Sequence, residues 1–135
     1  MKNINPYIIR VKLIVIIVFA SFSAFSQLNL SNNTEMDISS GTYLTLNNND
    51  LLNSSNSSIT GNGLIVINEG VLTNLNSITS DLQLISTVNR SVSLGTVSNL
   101  VIDIPASLTI NDNAIILGQL TLNNCALTIE SFKTM

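Results

Sequence analysis

Histidine is absent from the 135 residues, and cysteine occurs once, as Cys125. Without histidine there are no His-based zinc sites and no Ser-His-Asp triads. One cysteine cannot close an internal disulfide, so Cys125, set in Asn124-Cys125-Ala126-Leu127, reads as a small buried hydrophobe, with an intermolecular bridge as the alternative. Cations are scarce too. Lys2, Arg10 and Lys12 stand at the start of the chain, and only Arg90 and Lys133 follow. All eight acids lie beyond residue 26, which leaves a net charge of −6 there. Such a chain lacks the basic footprint that nucleic acid requires, and it is repelled by anionic membrane surfaces. The helix-favouring residues Ala, Glu, Lys and Arg are sparse beyond residue 26, and no three-turn apolar stripe occurs.

The N-terminus is the part that is rich in cations and apolar residues. Lys2, Arg10 and Lys12 form a basic region, residues 13–20 are unbroken apolar, and Ala24-Phe25-Ser26 meets the small-x-small rule of signal peptidase. The run is shorter than the ~20 residues of a membrane span. It therefore predicts a signal peptide over 1–26, processed at Ala24 and Ser26 with Gln27 as the new N-terminus, and a repeat domain over 27–135. The predicted location is the periplasm, the cell surface or the extracellular space. Contact with a membrane is expected only through the uncleaved signal.

Beyond residue 26 the chain alternates apolar and polar residues in short bursts, as in Leu28-Asn29-Leu30, Leu44-Thr45-Leu46, Leu108-Thr109-Ile110, Leu120-Thr121-Leu122 and Leu127-Thr128-Ile129. Period-two alternation is the signature of strands, and Asn, Asp, Gly and Ser between the bursts supply turns. The bursts also repeat. Ile59 recurs as Ile78, Leu51-Leu52-Asn53 as Val71-Leu72-Thr73, residues 106–110 as 125–129, and Leu94-Gly95 as Leu117-Gly118. A period of roughly 19 to 23 residues fits one coil of a solenoid. The sequence thus predicts an all-β fold, a right-handed parallel β-helix (β-solenoid) of about five short coils, preceded by a signal-peptide helix.

Stacked coils cover each inward aliphatic above and below at a spacing of about 4.8 Å. Leucines of Leu-Thr-Leu should point inward and the threonine outward, so Leu122→Asp is expected to unfold the last coils and Thr121→Asp to be mild. Asn47-Asn48-Asn49 and Asn123-Asn124 are placed for amide ladders. The end at Met135, without a cap, predicts truncation at the C-terminus or edge-to-edge self-association.

Residues 42–47, 59–68, 97–103 and 119–129 resemble the repeat regions of large secreted bacterial β-solenoid surface proteins, autotransporter- and adhesin-like and exported by type IX secretion. The resemblance spans roughly 28–131 and implies a stalk or adhesive role with a glycan or other surface partner. It implies no catalytic residues and no cofactor.

The functional expectation is a secreted or cell-surface structural or adhesive segment without catalysis. The alternative is a fragment of a pectin-lyase-like carbohydrate-active β-helix protein, which would need converging carboxylates. Asp81 with Arg90, and Asp103 with Asp112, are each nine apart and read as turn residues. A flat ice-binding face would need Thr-x-Thr rows, which do not occur; Thr45, Thr109, Thr121 and Thr128 could form only a single ladder. Calcium-binding Gly-Gly-x-Gly-x-Asp repeats are missing, and no metal site is expected.

Overall fold

A computed structural model describes residues 26–129. The expected signal-peptide helix, Ala24 and the residues after 129 lie outside the described part. Within it the chain is all strand and turn. Sixteen strands of two to five residues follow one another, and every pairing is parallel.

Each coil contributes three strands. The first coil is β1 (Gln27–Leu30), β2 (Glu35–Asp37) and β3 (Tyr43–Asn47). The second is β4 (Asp50–Asn53), β5 (Ser58–Thr60) and β6 (Leu64–Asn68), and the third is β7 (Leu72–Asn74), β8 (Ser77–Ile78) and β9 (Asp81–Ile85). The fourth is β10 (Arg90–Val92), β11 (Thr96–Val97) and β12 (Leu100–Asp103), and the fifth is β13 (Ser107–Ile110), β14 (Ile115–Ile116) and β15 (Leu120–Asn123). A sixth turn begins with β16 (Ala126–Ile129). The second face is the sheet β2-β5-β8-β11-β14 and the third is β3-β6-β9-β12-β15. The first face is split into β1-β4-β7 and β10-β13-β16, joined by the bridge Thr73↔Ser93. The result is a β-solenoid of about five coils, as the alternation and the period predict.

Register explains which repeats were read correctly. Ile59 pairs with Ile78, and Ser107–Ile110 with Ala126–Ile129, both at the expected offset. Two alignments are corrected. Leu51 pairs with Leu72 rather than Val71. A one-residue slip reverses facing, and accordingly Leu72 is 0% exposed while Val71 is 37% exposed. Leu94-Gly95 precede β11, whereas Leu117-Gly118 follow β14, so the two dipeptides occupy different corners. Leu94 is buried and Leu117 is exposed.

The core is a set of aliphatic ladders. On the third face Ile65, Leu82 and Leu100 form one row and Ile67, Leu84 and Ile102 the next, all buried. On the second face Ile59, Ile78 and Val97 do the same. Each such side chain, taken fully from water, contributes roughly 1.5–3 kcal/mol. Between them the outward residues Val66, Gln83 and Val101 alternate, as the pleat requires.

Corners are made by residues that accept left-handed backbone. Asn48, Glu69 and Asn124, with φ of 53°, 59° and 54°, all follow the last residue of a third-face strand. Gly61 (φ 103°) combines that conformation with a close approach, since a Cβ there would collide with the Ile38 carbonyl of the coil before.

Candidate functional site

The most connected polar cluster stands where the third face turns into the first. Glu69 follows β6, Ser86 follows β9, and Arg90 opens β10. Arg90 Nη2 donates to Glu69 Oε2 at 2.7 Å and to the Glu69 carbonyl at 3.0 Å, and its Nε donates to Ser86 Oγ at 2.9 Å. Ser86 Oγ lies 2.8 Å from the same Oε2 as a donor, with the Val88 carbonyl at 3.1 Å as the competing acceptor. Thr87 gives its N–H (2.7 Å) and its hydroxyl (2.8 Å) to Glu69 Oε1. Both carboxylate oxygens are thereby engaged. The Arg90 guanidinium, and then the Thr87 and Ser86 donors, hold Glu69 well below the ordinary carboxylate range, at about 2.

A carboxylate so placed stays ionised at neutral pH and has no proton to give, which suits a staple between coils rather than a general acid. Glu69 holds φ of 59°, a conformation uncommon outside Gly, Asn and Asp, at the same corner as Asn48 and Asn124. The charged pair is less than one-quarter exposed on each side.

The second cluster is buried. Asn53 and Asn74 point inward on the first face in a register column that starts at Leu30. Asn53 Nδ2 donates to Asn74 Oδ1 at 2.7 Å and to the Ser77 carbonyl at 3.2 Å. Asn74 Nδ2 donates to the Leu94 and Thr96 carbonyls at 2.5 and 3.3 Å. The amides thus bridge coils two, three and four from inside. Asn53 Oδ1, facing no amide in this column at Leu30, is buried without a partner.

The expected residues sort as follows. Gln27 begins β1 and is exposed, and Ser26 donates its hydroxyl to Asn49 Oδ1. Arg90 is bound to Glu69 and not to Asp81, whose Oδ1 accepts from Asn99 Nδ2 at 2.8 Å. Asp103 closes β12, while Asp112 follows β13 and accepts the Leu94 N–H of the coil below at 3.0 Å, so the two sit at different corners. Asp50 likewise accepts the Val71 N–H at 2.8 Å. Of the asparagine runs expected to form amide ladders, Asn47 accepts from Asn68 Nδ2 at 3.2 Å, while Asn123 lies in register with Asp103. Thr109 pairs with Thr128 on the first face, whereas Thr45 and Thr121 lie on the third beside Val66 and Val101, so the four make no single ladder. Cys125 is a half-buried free thiol packed on the core. Among the described residues no three Asp, Glu or Cys side chains stand together as metal ligands would.

Sequence reading missed the Glu69–Arg90 staple and the buried Asn53–Asn74 rung. Both pairs are separated by 21 residues, one coil, so a search for complementary residues at the repeat offset would have found them. No protein-family model, curated protein or solved structure matches the chain.

Proposed function

We propose that the chain is an exported, non-catalytic structural or adhesive segment, displayed at a cell surface or released outside it. The observation that carries this reading is where the acids spend their hydrogen bonds. Glu69, Asp50 and Asp112 each bind the chain one coil away, and Asp81 binds Asn99. Carboxylates used as inter-coil clamps favour a load-bearing stack over a reaction centre of the pectin-lyase-like kind, where they would converge on a cleft. Export is supported by the basic-apolar-small pattern of residues 1–26 and by the coil that starts at Gln27. The acidic stack suits an extracellular partner such as a glycan more than a nucleic acid.

The test is expression of the full chain with a C-terminal epitope in a Gram-negative host, followed by fractionation and N-terminal sequencing. Recovery outside the cytoplasm with Gln27 as the first residue is the expected result. A full-length cytoplasmic product, or release of reducing sugar from a polysaccharide panel by the purified protein, would falsify the reading.

A further inference from the structure

The structure carries a shallow cleft on its side, at the corner between the second and third faces, of about 250 Å³. Tyr43, Leu64 and Asp81 open the third-face strands of three successive coils and are in register, Tyr43 against Leu64 and Leu64 against Asp81. They make one row across the cleft, with two rungs, or about 9–10 Å, between the tyrosine and the acid. Thr42 and Asn62 complete its polar rim.

Tyr43 is 73% exposed, the largest value among the exposed large apolar side chains, and it takes an outward position of β3, alternating with the inward Leu44 and Leu46. The walls are fixed by backbone. Thr42 N–H donates to Ser39 O, Gly63 N–H to Ile38 O, Leu64 N–H to Thr42 O, and Asp81 N–H to Gly63 O, all within 2.7–3.1 Å. Asn99 orients the Asp81 carboxylate through one oxygen. The backbone of the cleft is thus set in advance, and the ordering cost of binding falls on the exposed Tyr43 and Asn62 side chains.

We infer that this cleft is a binding subsite for one ring of a neutral saccharide, stacked on Tyr43 and hydrogen-bonded by Asp81 and Asn62. A sugar ring has an apolar C–H face and a polar edge. The row presents the same pair of surfaces, an aromatic face and an aliphatic floor at Leu64, then a carboxylate that accepts from hydroxyls. Other ligand classes fit less well. A polyanion is repelled by an acidic chain. A metal ion would find one carboxylate, already shared with Asn99. The volume falls below the usual range for drug-sized ligands, which suits a single ring. The inference deepens the proposed surface role and rests on it for biological meaning, while its test does not depend on export.

The test is titration of the purified protein with cellohexaose, by calorimetry and by tyrosine emission, which no tryptophan obscures. Binding is expected in the millimolar range or tighter, weakened at least about tenfold by Tyr43→Ala and about as tight in Tyr43→Phe, which keeps the ring. Asp81→Asn should weaken it less than Tyr43→Ala, because an amide still accepts one hydrogen bond. Circular dichroism melts separate lost binding from lost folding. No binding below about 10 mM sugar, equal affinity of a folded Tyr43→Ala variant, or binding of a proline-rich decapeptide in place of the sugar would each overturn the assignment. If binding holds and the protein stays in the cytoplasm, the export reading fails and the cleft stands.

Discussion

The triplet Leu-Thr-Leu occurs at 44–46 and again at 120–122, in the first and fifth coils of the same face. In the first, Leu46 is 8% exposed; in the second, Leu120 and Leu122 are 39% and 44% exposed. Between them, Ile67, Leu84 and Ile102 in the Leu46 column are all at most 4% exposed. Identical residues in identical register therefore bury to different degrees. Both strands are outermost on this face, so the number of covering rungs does not separate them. The first coil buries Leu30 and Ile38 together with Leu46, whereas the fifth leaves an open hollow against Leu120. The same end of the described stack exposes Ile115 and Leu117 and has an apolar hollow of about 290 Å³ lined by Ile110, Ala114, Ile116, Leu120 and Leu127.

That contrast is broken most directly by a charge placed on each side of it. Ile102→Asp puts a carboxylate among Leu84, Leu100 and Ile104, with no partner, and should cost on the order of 4–5 kcal/mol, enough to abolish cooperative folding. Leu122→Asp, expected from sequence alone to unfold the last coils, falls instead on a half-open rung and should cost about 1 kcal/mol or less. Urea midpoints measure both. Equal midpoints would mean that the outer rungs are as dry as the inner ones.

The middle coils also differ from the ends in holding amides inside. Asn53→Leu or Asn74→Leu alone strands the amide that remains, at a cost of about 1–3 kcal/mol each. The double variant replaces the rung by aliphatics continuous with Leu30 and should cost less than the two added together, with a coupling of about 0.5–3 kcal/mol. Additive losses in a double-mutant cycle would show that the two amides do not act as one rung.

The fold was legible because its signals are local. Alternation marks strands, Asn and Gly mark corners, and Ile59 with Ile78 gives the period. What the sequence hid depends on corner length. Leu51 could be matched to Val71 or to Leu72 by pattern, and only the length of the Asn68–Val71 turn decides which one faces inward. The clamps were obscured for the same reason. Arg90 is nine residues from Asp81 along the chain, yet it folds beside Glu69, one coil below. A charge pair is visible in such a sequence only when residues are compared at the one-coil offset, 21 residues for Glu69 and Arg90. The side cleft is harder still, since Tyr43, Leu64 and Asp81 share no motif and are joined only by their register.

The Glu69 clamp carries the smallest expected effect and a pH signature. Glu69 has a folded pKa of about 2 against an ordinary value of 4.5. A group whose folded pKa is depressed binds fewer protons folded than unfolded, so it adds stability above the unfolded value. That contribution is complete above about pH 4.5 and is lost as pH falls through about 2. Because Arg90 and Ser86 belong to different turns from Glu69, its loss should loosen the junction of coils two to four before the rest of the stack. Glu69→Gln keeps the shape and removes the titration. Thermal midpoints of the wild type should fall more steeply than those of Glu69→Gln between about pH 4.5 and pH 2, and the two curves should converge toward the acid end. Arg90→Met should flatten the wild-type curve as well, because the guanidinium is the first cause of the depressed pKa. Parallel curves for wild type and Glu69→Gln across this window would show that the clamp leaves folding unaffected, and that the corner is held by Asn-type turn geometry alone.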